Sequence, residues 1–342
     1  MSLHAPEEES PVMQRFEPGQ RDNAVPPPPT AVVAMGGHAF IKPGQRGNYL
    51  DHVNNATEVS QALMVLIERG YRIVITHGNG PQIGDQLTRT EVSASEVPRL
   101  PLDVLVAQTQ GSLGYYLQRA LLQELHTHNI ARFVTTMVTQ VLVSPDDPAF
   151  DNPTKPVGPF MSREAAEKKR DEYGWEIIKD LNRGWRRVVP SPKPQKIVQA
   201  AMIREAVRSG NIVVAAGGGG IPVAISPDTG HFLGIEAVID KDLTSGQLAT
   251  EVDADLLVIL TSVEGVFLNF GEEDERQLGA VTMADCRRHI DAGHFPPGSM
   301  GPKVEAIYGF LRRGGQRGLV TNAESLRDAL DGQAGTHFIG RI

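Results

Sequence analysis

The stretch Ala31-Val32-Val33-Ala34-Met35-Gly36-Gly37 sets the reading of this chain. Five apolar residues without polar alternation suit a strand covered on both faces, and the glycine pair ends it in a turn. Outward from it, short apolar runs alternate with helical periodicity. Val59, Leu63, Leu66 and Ile67 recur at helical spacing, and Gly70 stands where that helix would stop. Residues 72–76 read as a second strand, closed by His77-Gly78-Asn79-Gly80. A long helix is expected from 103 to about 125, then a strand at 133–143. The same rules give strands at 187–189, 212–216, 256–261, 318–320 and 336–339, with helices at 197–209, 243–252, 301–313 and from about 324. Strands joined through helices predict an α/β fold whose mainly parallel sheet is covered on both faces.

Two stretches break this rhythm. Residues 1–30 carry Glu7, Glu8, Glu9 and four consecutive prolines at 26–29, with little apolar surface to bury. They are expected to form a disordered tail, extended near its end; a proline-recognition ligand is the functional alternative. Residues 144–185 are rich in proline and charge around one helical stretch near 163–173, and are expected to be a small subdomain inserted into the 31–342 domain.

In 342 residues, 40% are hydrophobic and 22% charged, a globular balance. The formal charge is 33 − 41 = −8. That argues against a nucleic-acid backbone as partner, so any anionic ligand must be held by a few local cations and backbone N–H groups. The single cysteine, Cys286, rules out an internal disulfide and a cysteine-based metal site. The longest apolar run, near 254–260, is too short to span a bilayer, and the first residues are polar and acidic, so a cytoplasmic setting without a membrane role is expected.

Three strands run straight into glycine clusters: Gly36-Gly37, Gly78-Asn79-Gly80 and Gly217 to Gly220. In a parallel sheet these junctions share the carboxyl edge, where ligands bind. Glycine admits close backbone approach, so successive N–H groups can converge on an anion, helped by a following helix N-terminus. Three such bends on one edge suit several phosphate groups. A dinucleotide fingerprint does not fit, because the first strand continues G-G-H-A-F rather than G-x-G-x-x-G, and no P-loop motif occurs.

Phosphoryl transfer needs positioning and cations around the moving oxygens. Lys241 stands in Ile239-Asp240-Lys241-Asp242 at an expected helix start, Lys303 in Gly301-Pro302-Lys303 at another, and Lys155 in the proline-stiffened Asn152-Pro153-Thr154-Lys155-Pro156. Each also has a plain structural reading: a charge cluster capped by Asp240, a solvated first-turn lysine, and an exposed loop lysine.

Taken together, VVAMGGHA at 32–39, HGNGPQIG at 77–84, NPTKPVGPF at 152–160, VVPSPKP at 188–194, GGGGIP at 217–222, IDKDL at 239–243 and GHFPPGSMGPKVEA at 293–306 resemble the carbamate kinase family. The blocks run in order from about residue 31 to the C-terminus. LTSVEGV at 260–266 is similar to the nucleotide-side strand and loop of the wider amino-acid kinase superfamily. The resemblance implies a three-layer αβα sandwich with a lid, a homodimer, and reversible reaction of Mg·ATP with carbamate to give ADP and carbamoyl phosphate, often run towards ATP in arginine catabolism. It implies that Lys241 and Lys303 grip the phosphates, with Asp242 orienting both ammonium groups. Gly36, Gly37, Gly78, Asn79, Gly80, Gly217 and Gly218 would cradle the substrate and phosphoryl group. Thr261 and Val263 would lie on the nucleotide side, and Lys155 would reach carbamoyl phosphate from the lid. Mg²⁺ would arrive with the nucleotide rather than in a protein cage. One departure is His38, where the family usually has asparagine; it is expected to be harmless if only backbone N–H groups act there. A His38→Asn variant with a changed pH–rate profile near neutrality would overturn that expectation. Two rivals stand beside this reading: another small-molecule kinase of the superfamily, and a non-catalytic anion sensor on the same scaffold.

Overall fold

The computed structural model describes residues 27–36, 39–180, 184–296 and 298–340. Gly37, His38 and nearly all of the expected tail therefore lie outside the described residues. The main sheet has eight strands: β1 (Thr30–Met35), β2 (Arg72–His77), β3 (Val134–Met137), β4 (Ile212–Ala215), β5 (Leu256–Leu260), β6 (Ala280–Thr282), β7 (Arg317–Thr321) and β8 (Thr336–Ile339). Their spatial order is β6-β8-β7-β5-β1-β2-β4-β3. All pair in parallel except β7 with β8, so the two outermost strands at that edge are reversed.

The helices are α1 (Tyr49–Glu68), α2 (Gly80–Val92), α3 (Leu102–Thr127), α4 (Arg163–Tyr173), α5 (Ala200–Arg208), α6 (Lys241–Glu251), α7 (Met283–Asp291), α8 (Met300–Arg312) and α9 (Leu326–Leu330). Period-two alternation divides the core. Val32, Ala34, Val74, Val213, Leu257 and Ile259 face α5, α6, α7 and α8. Ala31, Val33, Ile73, Ile75, Val214 and Val258 face α1, α3 and α9. Every one of these sheet residues is 0–1% exposed, which is why the strands read as unbroken apolar runs. The predicted three-layer αβα sandwich is therefore present.

Local chemistry sets the element ends. Asn48 caps α1 by accepting the Asp51 N–H at 3.1 Å, and the Asp51 carboxylate returns a bond from the Asn48 N–H at 3.0 Å. The helix expected to stop at Gly70 does so: Gly70 has φ +81° and Tyr71 N–H donates to Leu66 at 3.0 Å.

Some expectations need correction. The strand expected at 133–143 is two strands, because Gln110 of α3 clamps the chain between them. Thr139 N–H donates to Gln110 Oε1 at 2.7 Å, and the Thr139 hydroxyl donates to Met137 at 2.7 Å. The chain leaves the main sheet there, and Gln140–Leu142 joins a four-stranded sheet with Ile221–Ile225. The strand expected at 187–189 is not in the main sheet either. Gly184–Val189 is the middle strand of a separate three-stranded sheet with Lys155–Met161 and Glu176–Asp180. That sheet carries α4 and is pinned by Val157 and Val189, which pack with Ile83 and Leu87 of α2 and Leu102, Leu105 and Val106 of α3. No helix among the described residues is long and apolar enough to cross a membrane.

Candidate active site

The carboxyl ends of β1, β2, β4 and β5 open on one edge. Gly36 N–H donates to Leu260 at 3.2 Å and Gly78 N–H to Met35 at 3.1 Å, so these two N–H groups, expected to meet an anion, are held in the ladder instead and the two glycines serve as close-approach backbone. The third bend closes against them. Gly218 has φ +68° and a Cβ there would meet Asn79 Nδ2 at 2.1 Å; Gly219 has φ +91° and a Cβ would meet the Ile239 carbonyl at 2.2 Å. Only glycine satisfies both the left-handed backbone and the contact. The turn thus lies between Asn79, whose amide donates to Thr109 at 2.8 Å, and the chain entering α6.

His77 lies beneath this cradle, 1% exposed, with Nδ1 3.0 Å from the Gly78 carbonyl. Burial pushes its pKa down to about 4; the Gly78 bond opposes this and the Lys241 charge adds to it. The ring is therefore neutral, with Nδ1–H donating to Gly78.

α6 begins at Lys241 because Asp240 caps it, accepting the Asp242 N–H at 2.9 Å. The helix is held to β2 by Ser245, whose hydroxyl lies 2.6 Å from that of Thr76. It crosses α8 closely at Gly246, where a Cβ would stand 2.7 Å from the Ala306 carbonyl. Asp242 is one turn before Gly246 and Lys303 is nearly one turn before Ala306, so this crossing brings the two side chains together. Asp242 Oδ1 takes the Lys241 ammonium at 2.5 Å and Oδ2 takes that of Lys303 at 3.0 Å. Lys303 also donates to the Ser299 carbonyl at 3.2 Å. Asp242 is 3% exposed. Burial alone would raise its pKa, but the two ammonium groups outweigh it and hold the carboxyl below its ordinary value. The carboxylate fixes where both ammonium groups point.

Two cavities meet at this pair. The smaller, about 300 Å³, has walls from Gly78, Asn79, Gly80, Lys155, Gly218 and Asp240. The larger, about 520 Å³, has walls from Gly36, Thr261, Ser262, Ser299, Asn55 and Lys42. Lys241, Lys303 and Gly298 line both. Lys155, from the small sheet, reaches the Asp240 carboxylate at 3.1 Å. The structure therefore brings together Lys155, Lys241, Asp242, Lys303, Gly36, Gly78, Asn79, Gly80, Gly218 and Thr261. Gly217 packs against the His77 ring instead, where a Cβ would come within 2.4 Å, and lines neither cavity. Val263 is half-buried in the loop after β5 and also lines neither. Sequence reading missed Ser262, Ser299 and the second role of Asp240; none carries a spacing signal that marks it out.

A further cavity of about 520 Å³ lies between the small sheet and the α2–α3 loop, bordered by Arg99, Tyr173, Trp175 and Arg187. Its arginines are already paired, Arg99 with Glu91 at 3.3 Å and Arg187 with Glu236 at 2.6 Å.

Residues 29–322 match the amino acid kinase family. The chain is 44% identical over 311 residues to the carbamate kinase of Thermococcus kodakarensis and 46% identical over 311 residues to that of Pyrococcus horikoshii, in each case covering 90% of this chain and 98% of the relative. Its fold superposes on carbamate kinase from Giardia lamblia bound to AMP-PNP with a TM-score of 0.87, at 36% identity, covering 92% of this chain and 99% of that one. A strand–glycine sheet edge with a carboxylate-braced lysine pair, in a chain matched almost end to end by such relatives, places this protein in the amino acid kinase family, in its carbamate kinase branch.

Proposed function

We propose that this protein transfers a phosphoryl group reversibly between ATP and carbamate, with ADP and carbamoyl phosphate as the other pair. The observation that carries the reading is the Lys241–Asp242–Lys303 cluster at the junction of two cavities. A phosphoryl group moving in line between two oxygens needs positive charge on both sides of its path and little else from the protein. In this reading the larger cavity takes the nucleotide phosphates and the smaller takes the carbamoyl end. The Gly36 and Gly78 N–H groups stay bonded to Leu260 and Met35, so the donors for the anion come from the Asn79–Gly80 turn that starts α2 and from Lys241 and Lys303. Because Asp242 holds both ammonium groups in place beforehand, little reorganisation remains at the moment of transfer.

Mg²⁺ accompanies the nucleotide and offsets phosphate charge. Among the described residues no group of three or more His, Cys, Asp or Glu side chains is placed to hold a metal ion. The small sheet acts as a lid that brings Lys155 to carbamoyl phosphate and keeps water from the transferring group. The resemblance further supports a homodimer working in the cytoplasm, in the ATP-forming direction of arginine breakdown.

Lys155→Ala is expected to raise KM for carbamoyl phosphate about tenfold or more, the loss of one charge-assisted bond, while ADP affinity stays near wild type. Steady-state kinetics with each substrate varied checks this; unchanged KM for carbamoyl phosphate makes the lid assignment wrong. For the reaction itself, ADP release should be followed with carbamate, glutamate, aspartate and N-acetylglutamate as acceptors. Turnover with carbamate alone is expected. Preference for an amino-acid acceptor, or nucleotide binding without any turnover, would replace the reading with one of its rivals.

A further inference from the structure

Lys155 comes from the small sheet and Lys241 from the first turn of α6, and Asp240 bonds the first while capping the helix that carries the second. Asp240 Oδ1 caps α6, accepting the Asp242 N–H at 2.9 Å and the Leu243 N–H at 3.4 Å, while Oδ2 takes the Lys155 ammonium at 3.1 Å. An N-cap needs one side-chain oxygen, and Asn, Ser or Thr supplies it as well as Asp. The second oxygen and the charge are used by Lys155. The Asp240 side chain is 16% exposed and that of Lys155 32%, so water screens the pair only in part.

The pair also has a place in a pattern. Lys169 of α4 bonds Glu91 of α2, and Arg187 of the small sheet bonds Glu236 at 2.6 Å. Glu236 in turn accepts the Leu102 N–H, at the start of α3, at 2.7 Å. At each of these three points the cation belongs to the small sheet and its helix, and the carboxylate to the body. Of the three, Lys155–Asp240 is the one inside the smaller cavity, beside the lysine pair.

We propose that Asp240 is a positioning residue that holds the Lys155 ammonium over the smaller cavity and ties it to the helix carrying Lys241 and Asp242. The inference rests on the functional reading above, in which Lys155 meets carbamoyl phosphate. An ammonium group has three donors, so one bond to Asp240 leaves capacity for a substrate oxygen. A lysine already ordered and partly desolvated gives up less freedom when the anion arrives. Asp240 also offsets a third cation in a cavity where Asp242 is already shared by two.

Asp240→Asn keeps the capping oxygen and removes the charge, which separates the two tasks. KM for carbamoyl phosphate is expected to rise about tenfold, with KM for ADP and the thermal midpoint near wild type. Adding Asp240→Asn to Lys155→Ala should change nothing further, because the two residues act through one contact. In the protein without substrates, trace acetylation mapped by mass spectrometry should modify Lys155 several-fold faster in Asp240→Asn than in wild type. Additive KM effects in the double variant, or Lys155 labelled at the wild-type rate, overturn the proposal. A wild-type protein that forms no ATP from ADP and carbamoyl phosphate sinks the functional reading instead, and the labelling comparison still decides whether Asp240 holds Lys155.

Discussion

Alanine at Lys241 or at Lys303 is expected to lower kcat about 10²–10³-fold, the size of effect seen when one preorganised donor to a developing charge is lost, or roughly 3 kcal/mol. Two causes add. The moving phosphoryl group loses a cation, and Asp242 loses a partner while staying buried at 3% exposure. A carboxylate held by two ammonium groups at 2.5 and 3.0 Å orients both, so the surviving lysine is also less well fixed. Nucleotide affinity should fall less than kcat, because in the proposed reading the other lysine still meets the ground-state phosphates. Initial rates under saturating substrates test this, and either variant turning over at the wild-type rate would remove these lysines from the mechanism.

The second large effect concerns acid. His77 has an ordinary pKa of 6.5, lowered to about 4 in the fold chiefly by burial. Between these two values the unfolded chain binds a proton there and the folded one does not. Stability therefore rises with pH across this window and is lost on going down from about 6.5 to about 4. A difference of 2.5 units at about 1.4 kcal/mol each gives roughly 3.5 kcal/mol. Asp242 acts lower: its pKa is held below the ordinary 3.8, so its contribution is present above that value and fades only as pH falls through its folded value. His77→Asn keeps a short donor near the Gly78 carbonyl and removes the titration. Urea unfolding at pH 6.5, 5.5 and 4.5 should show wild type losing stability faster than the variant. Equal acid slopes in the two proteins would mean that His77 does not stay neutral in the fold.

The sheet was legible because its strands are covered on both faces. Residues 31–35 and 256–260 are apolar throughout, and such runs read as buried strands without further context. The glycine bends were legible for a related reason, since each stands where an apolar run stops. What escaped depends on contacts far apart in sequence. The break after Met137 is made by Gln110, 29 residues from Thr139, and no local signal at 137–140 announces it. Helix α2 escaped because only Ile83, Leu87 and Gln82 are buried on it, too few for a helical stripe to stand out. The edge strand Ala280–Thr282 is three residues long, below what periodicity can resolve. At the site, the lysines could be named from their glycine-rich surroundings, but their meeting at Asp242 depends on the α6–α8 crossing at Gly246. The partner of Lys155 lies 85 residues away at Asp240. Residue types point to the chemistry; only packing assigns the pairs.

Whether a phosphoryl group passes between the two cavities that share Lys241 and Lys303 can be measured directly. Incubating the protein with ADP, Mg²⁺ and carbamoyl phosphate, and following ATP by luciferase, tests this most directly. ATP should appear mole for mole with the carbamoyl phosphate consumed above its spontaneous decay. ADP bound normally while no ATP forms would contradict the account.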